Sequence, residues 1–229
     1  MMATAVSVKE LDPRLKTPCN IIIAGPPKSG KTHLVFSMIQ DRRDLFSPPL
    51  GKVVYCYGEW QKAFDGWKDR VTFVEGIPAD LYDYFEGEPE GGLVVLDDLM
   101  SECSNNDQVE KLFTRGTHHR NLTTIYLTQN LFKQGKSSRT QSINAHYVIA
   151  FNNPRDRTQI RVLMRQAFPG QGRYVEEAFK DATSQPHGYL VFDFDQRTPD
   201  EYRLRTRILP SDPDPQIIYL PPSANGSDR

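Results

Sequence analysis

The sequence is poor in cysteine, in net charge and in long apolar runs, and each shortage removes a class of protein. Among 229 residues there are three cysteines, Cys19, Cys56 and Cys103. An odd, widely spaced set with no C-x-x-C pair argues against a disulfide framework or a zinc ribbon and favours a reducing compartment. No stretch approaches the ~18 consecutive apolar residues of a membrane span. The opening segment MMATAVSVKELDPRLK lacks the apolar core of a signal peptide. The expectation is a soluble intracellular protein with no membrane association. Lys and Arg total 28 against 29 Asp and Glu, a formal net charge of −1, which excludes a histone-like basic protein. That balance hides two opposed blocks. Val71 to Glu110 carries eleven acidic residues and no Lys or Arg, whereas Lys111 to Arg155 carries seven basic residues and no Asp or Glu. A local basic block is enough for nucleic-acid contact.

What is present reads as an α/β protein. Ile21-Ile22-Ile23-Ala24 is a short, mostly β-branched run closed by Gly25, the pattern of a buried strand. Further strands are expected at Val53–Tyr57, Val71–Val74, Leu93–Leu96, Thr123–Thr128, Tyr147–Phe151, Tyr189–Phe194 and Tyr202–Leu209. Helical spacing places Leu34, Val35, Met38 and Ile39 on one face. The same spacing joins Val109, Leu112 and Phe113, then Ile160, Leu163, Met164, Ala167 and Phe168, then Val175, Ala178, Phe179 and Ala182. Strands alternating with helices predict a mostly parallel central sheet flanked by helices. The chain divides into a lead-in over 1–17, a domain over 18–210, and a Pro-rich tail over 211–229 expected to be extended or disordered.

The strongest motif is Gly25-Pro26-Pro27-Lys28-Ser29-Gly30-Lys31-Thr32, a full match to G-x-x-x-x-G-K-[ST] between a buried strand and an amphipathic helix. Chance produces it about once per hundred chains of this length. Such a loop wraps phosphate with backbone N–H groups at the positive end of a helix. Pro26 and Pro27 have no N–H, so the donors are expected from Lys28 through Thr32. Lys31 then reaches the β- and γ-phosphates and the Thr32 hydroxyl ligates Mg²⁺. The second motif, Leu93-Val94-Val95-Leu96-Asp97-Asp98, ends a buried strand in two carboxylates, which makes sense where a cation waits. Asp97 is the expected metal ligand and Asp98 the residue that polarises the attacking water. A third strand ends in Thr128-Gln129; beside the phosphate-loop strand, Gln129 would sense the γ-phosphate. The absence of an N-K-x-D guanine-reading motif favours ATP over GTP.

With these residues in view the chain resembles the FtsK/HerA superfamily of DNA-pumping ATPases. The likeness is to the packaging ATPases of double-jelly-roll DNA viruses and Polinton-type elements, the poxvirus A32-like group among them. The segments that carry it are CNIIIAGPPKSGKT, LVVLDDLM, FTRGTHHRNLTTIYLTQNLF, SINAHYVIAFNNPRD and RQAFPGQG. The resemblance implies a RecA-like ASCE P-loop core with an extra strand between the two Walker strands. It also implies a homo-oligomeric ring, pentamer or hexamer, around double-stranded DNA, hydrolysing ATP with Mg²⁺ at subunit interfaces. A capsid vertex protein as partner and a place in the host cytoplasm or nucleus, or in the virion, follow from the same likeness. Asp98 stands where many relatives have Glu, so its carboxylate must sit closer to the water. Arg115, Arg120 and Arg139, in that order, are the candidates for an arginine finger acting on a neighbour's γ-phosphate, with His118 near the usual position. Lys133, Lys136 and Arg139 lie in a polar cationic loop suited to backbone contact with DNA, or to balancing the acidic block. Trp60 caps the nucleotide base or packs. Two other readings remain: a cellular or conjugative DNA pump, and a nucleotide-dependent assembly switch without sustained turnover.

Overall fold

In a computed structural model the residues described are 12–97, 99, 112–113, 121–131 and 144–222. Asp98, Arg115, His118, Arg120, Lys133, Lys136 and Arg139 lie outside them. The strands are β1 (Leu15–Lys16), β2 (Asn20–Ala24), β3 (Phe46–Ser47), β4 (Leu50–Tyr57), β5 (Thr72–Glu75), β6 (Gly91–Asp97), β7 (Leu122–Thr128), β8 (Tyr147–Phe151), β9 (Tyr189–Asp193), β10 (Leu204–Thr206) and β11 (Ile217–Tyr219). The described α-helices are α1 (Lys31–Gln40), the single turn α2 (Arg42–Leu45), α3 (Thr158–Ala167) and α4 (Gly172–Ala182).

Nine strands form one sheet in the order β11-β10-β9-β8-β2-β7-β6-β4-β5. From β8 to β5 every neighbouring pair is parallel, and β9, β10 and β11 extend the sheet antiparallel. The central parallel strands β8, β2, β7 and β6 are buried along their whole length because both their faces are covered. Alternation sends Ile21 and Ile23 of β2 into one apolar cluster with Leu34, Val35, Met38 and Ile39 of α1. Ile22 and Ala24 go to the other face, with Ile160, Leu163 and Met164 of α3 and Val175 and Ala178 of α4. In β4 and β6 the same period puts Tyr55 and Val95 on the α1 side, and Val54, Cys56, Val94 and Leu96 against Leu112 and Phe113. The sequence expectation of a helix-flanked, mostly parallel sheet therefore holds.

Both ends of the domain differ from expectation. Leu15, in the stretch read as a lead-in, is fully buried in the core, and β1 pairs in parallel with β3. The stretch read as an extended or disordered tail contributes β11, which pairs antiparallel with β10. Prolines flank these three residues but do not interrupt them, so a short edge strand is allowed. The antiparallel extension is fastened by a buried ion pair. Arg205 Nη2 lies 2.5 Å from Asp193 Oδ2, with side-chain exposures of 3% and 1%. Thr198 Oγ1 also donates to Asp193 Oδ2, at 3.0 Å, and Arg205 Nη1 donates to Pro13 O at 2.6 Å. A buried pair of this kind depends on further hydrogen bonds to both ions, which Thr198 and Pro13 O supply, although Arg205 Nε is left without a partner among the described residues.

Candidate nucleotide site

Parallel strands end on the same edge of a sheet, so the ends of β2, β7 and β6 converge. β7 lies between the other two: Ala24 is in register with Thr128, and Leu96 with Tyr126. This is the interposed strand that the resemblance implied. Gly25 N–H donates to Thr128 O at 3.2 Å, which ties the first residue of the phosphate loop to the end of β7. The loop then turns through Lys28 (φ 64) and Gly30 (φ 106), both in the left-handed region. Gly25 is required sterically, since a Cβ there would lie 2.7 Å from Phe151 Cβ and 2.8 Å from Ser29 Oγ. Gly30 caps α1, and Leu34 N–H closes the first helical turn on Gly30 O at 2.9 Å. Lys31 arches back over the loop and donates to Gly25 O at 2.7 Å and Pro26 O at 3.0 Å.

Above this loop opens a cleft of about 210 Å³, lined by Pro27, Lys28, Lys31, Thr32, Gln61, Asp97, Leu127, Thr128 and Gln129. The lysine, the threonine, the first aspartate and the glutamine singled out in the sequence, on three separate strands or their exits, thus face one space. Asp97 is buried and Gln129 exposed at the end of β7. The neighbouring polar turn is braced from behind. Gln159 Nε2 donates to Asn130 Oδ1 at 3.0 Å and to Asp156 Oδ2 at 2.7 Å, while Leu131 N–H donates to Gln159 Oε1. The Gln159 amide, with the Thr158 backbone N–H, holds the Asp156 carboxyl below its ordinary range.

One residue at the site was not legible in the motifs. Tyr55 of β4 is fully buried and donates its hydroxyl proton to Asp97 Oδ2 at 2.6 Å. Its ring stacks on Phe36 of α1, with centroids 5.6 Å apart, and is also packed by Phe64 and Phe73. Burial first, and the adjacent Asp97 carboxylate second, push the Tyr55 hydroxyl far above its ordinary range, so it remains a donor. The available signal was a polar-tipped ring inside an otherwise apolar strand. Trp60 belongs to the same aromatic group, edge-on to Tyr57, Phe64 and Phe73 at 5.3–5.4 Å, with Lys68 Nζ 4.8 Å from its centroid. Packing is the use the structure shows for that indole.

The chain has a P-loop NTPase fold. It superposes on the genome packaging NTPase B204 of Sulfolobus turreted icosahedral virus 2, solved in complex with ATP-γS. The TM-score is 0.56 at 13% identity, over 82% of this chain and 96% of that one. The sulfate complex of the same protein gives 0.53 at 12% identity, over 82% and 95%. B204 of Sulfolobus turreted icosahedral virus, described as a DNA-packaging ATPase, gives 0.55 at 11% identity, over 80% and 95%. Identity this low speaks for the fold. No protein-family model matches the chain, and no curated protein matches it by sequence. Among the described residues no helix is long and apolar enough to cross a membrane.

Proposed function

We propose that the chain is an ATP-hydrolysing motor that moves double-stranded DNA and packages a viral genome into a preformed capsid, as in the poxvirus A32-like group. The observation that carries the reading is the convergence of Lys31, Thr32, Asp97 and Gln129 on one cleft, with β7 between the two Walker strands. The fold likeness to genome-packaging NTPases supports it. The residues suit the ligands. Lys28 and Lys31 supply cationic charge, and residues 28 and 30–32 supply amides at the start of α1, where a triphosphate would bind; the Ser29 N–H, expected among the donors, instead closes the loop on Pro26 O at 3.2 Å. Thr32 and Asp97 are hard oxygen donors in the same cleft, a set that fits Mg²⁺, which is held by one or two carboxylates together with substrate phosphates. Bound there, the ion neutralises charge that develops on the phosphates.

The chain's own groups divide the remaining work. Lys31 binds the terminal phosphates, Gln129 registers the γ-phosphate, and Asp98 orients and polarises the water. An arginine from a neighbouring subunit in a ring, Arg115 or Arg120, stabilises the charge of the transition state. Lys133, Lys136 and Arg139 track the DNA backbone without reading sequence, as translocation requires. The protein would act in the host cytoplasm or nucleus, or at a capsid vertex.

Steady-state ATP hydrolysis tests the reading. Long duplex DNA is expected to raise turnover several-fold, and neutralising Lys133, Lys136 and Arg139 together is expected to flatten the salt dependence of DNA binding by roughly three phosphate contacts. Turnover that ignores duplex DNA would leave an assembly switch as the better account. Tyr55 gives a second expectation. Tyr55→Phe keeps the aromatic packing and removes one hydrogen bond to a carboxylate, a contact worth about 1.5–3 kcal/mol. The Mg²⁺ concentration for half-maximal turnover should rise about tenfold or more, as when the outer partner of a metal ligand is lost, and the melting temperature should fall by several degrees. An identical Mg²⁺ titration would show that Tyr55 only packs.

A further inference from the structure

We propose that His187 is a positioning residue for the phosphate loop, fixing the Ser29–Gly30 peptide so that the Gly30 amide is presented to phosphate. The inference rests on the nucleotide-binding reading above. His187 Nδ1 lies 3.0 Å from Ser29 O, across 158 residues of sequence. A carbonyl only accepts, so Nδ1 carries the proton. In a trans peptide the following N–H points opposite to the carbonyl. With Ser29 O turned to the imidazole, the Gly30 N–H is turned away from it. Gly30 is one of the residues, 28 and 30–32, whose amides the phosphate loop can offer, since the Ser29 N–H donates to Pro26 O at 3.2 Å. Left alone, a glycine at φ 106 has the widest conformational freedom of any residue, so its peptide gains most from an external hold.

The imidazole also occupies the space that a side chain on that glycine would need. A Cβ on Gly30 would lie 3.1 Å from His187 Nδ1 and 3.3 Å from its Cβ. The histidine is itself held in place. Its φ of 63 is in the left-handed region, which histidine tolerates better than most residues. The next residue, Gly188, is packed so tightly against the end of α4 that a Cβ there would meet Ala182 O at 2.4 Å. Gly188 N–H donates to Gln185 O at 3.0 Å, and Tyr189 then enters β9 in register with Phe151 at the end of β8. The turn after α4 therefore presents the ring from the phosphate-loop edge of the sheet, on a support independent of Asp97 and Gln129.

Binding of a non-hydrolysable Mg-ATP analogue, measured by calorimetry, tests this in four proteins: wild type, Lys31→Ala, His187→Gly and His187→Asn. Glycine keeps the backbone conformation and removes the donor. Asparagine tolerates the same φ and offers an N–H close to the Nδ1 position. His187→Gly is expected to bind about five- to tenfold more weakly, the effect of one hydrogen bond, and His187→Asn to recover most of that loss. Equal affinity in wild type and both His187 variants overturns the inference, and so does an asparagine variant as weak as the glycine one. If wild type binds no better than Lys31→Ala, the nucleotide reading fails and takes the inference with it. A measurement on the unmutated protein stands apart from folding and binding alike. ¹⁵N spectra of histidine-labelled protein should show His187 protonated at Nδ1 at neutral pH, and an unprotonated Nδ1 there overturns the inference.

Discussion

Lys31→Ala should give a folded protein that no longer turns over ATP. Lys31 opens α1, a position where alanine is at least as favourable for the helix. Its ammonium spans the loop to Gly25 O and Pro26 O, so the cation is already held over the first residues of the cradle. A triphosphate there would accept charge-assisted hydrogen bonds from it in the ground state, and stronger ones as negative charge moves onto the transferring group. Losing an interaction of that kind lowers turnover by about 10²–10³-fold or more. The stability effect is smaller, because the lost partners are loop carbonyls that water can reach once the side chain is gone. Circular dichroism melts and ATP hydrolysis at saturating nucleotide check both halves. Turnover within tenfold of wild type, in a protein of unchanged melting temperature, would remove Lys31 from the chemistry. Lys31→Arg should not rescue: the planar guanidinium is longer and cannot reproduce a compact ammonium turned back on two adjacent carbonyls.

The local structure around this lysine was readable because it obeys local rules. A β-branched run, a glycine at each end of the loop and four apolar residues at helical spacing specify strand, loop and α1 within twenty residues. The strand order is another matter. Parallel strands buried on both faces, as β8, β2, β7 and β6 are, carry no mark of which neighbour each will choose. Only the resemblance, not the periodicity, put β7 between β2 and β6. The same limit hid Tyr55 and His187. Tyr55 becomes interesting when β4 is laid beside β6 and its hydroxyl comes within 2.6 Å of Asp97. His187 matters when the turn after α4 reaches the edge where α1 starts. Composition left the tail open between extended and disordered. Within it, Ile217–Tyr219 is an extended strand paired with β10, and Tyr219 O accepts a hydrogen bond from Tyr174 Oη of α4 at 2.6 Å. Asp98 and the basic residues assigned to the finger and the DNA path lie outside the described residues, so those assignments stand on the sequence alone.

Asp97→Asn should separate stability from activity more cleanly than any other single change. Asp97 ends an apolar strand and is buried, which is an expensive place for a carboxylate. Asparagine has nearly the same shape, and its carbonyl oxygen can still accept the Tyr55 hydroxyl proton, so packing and that hydrogen bond survive while the charge does not. The expected result is a melting temperature equal to or above that of wild type, because a desolvated charge has been removed. Turnover should fall by about 10²–10³-fold, because the residue meant to hold a divalent cation beside the phosphates has become neutral. Nucleotide binding then discriminates further. In EDTA the two proteins should bind an ATP analogue alike, and adding Mg²⁺ should tighten binding for wild type only. If the variant loses stability and activity together, Asp97 serves the fold and its position at the cleft is incidental. Stability kept or raised, with hydrolysis gone and the Mg²⁺ response abolished, identifies a charge maintained at the strand's end for its chemistry, in an arrangement that the fold alone has no reason to keep.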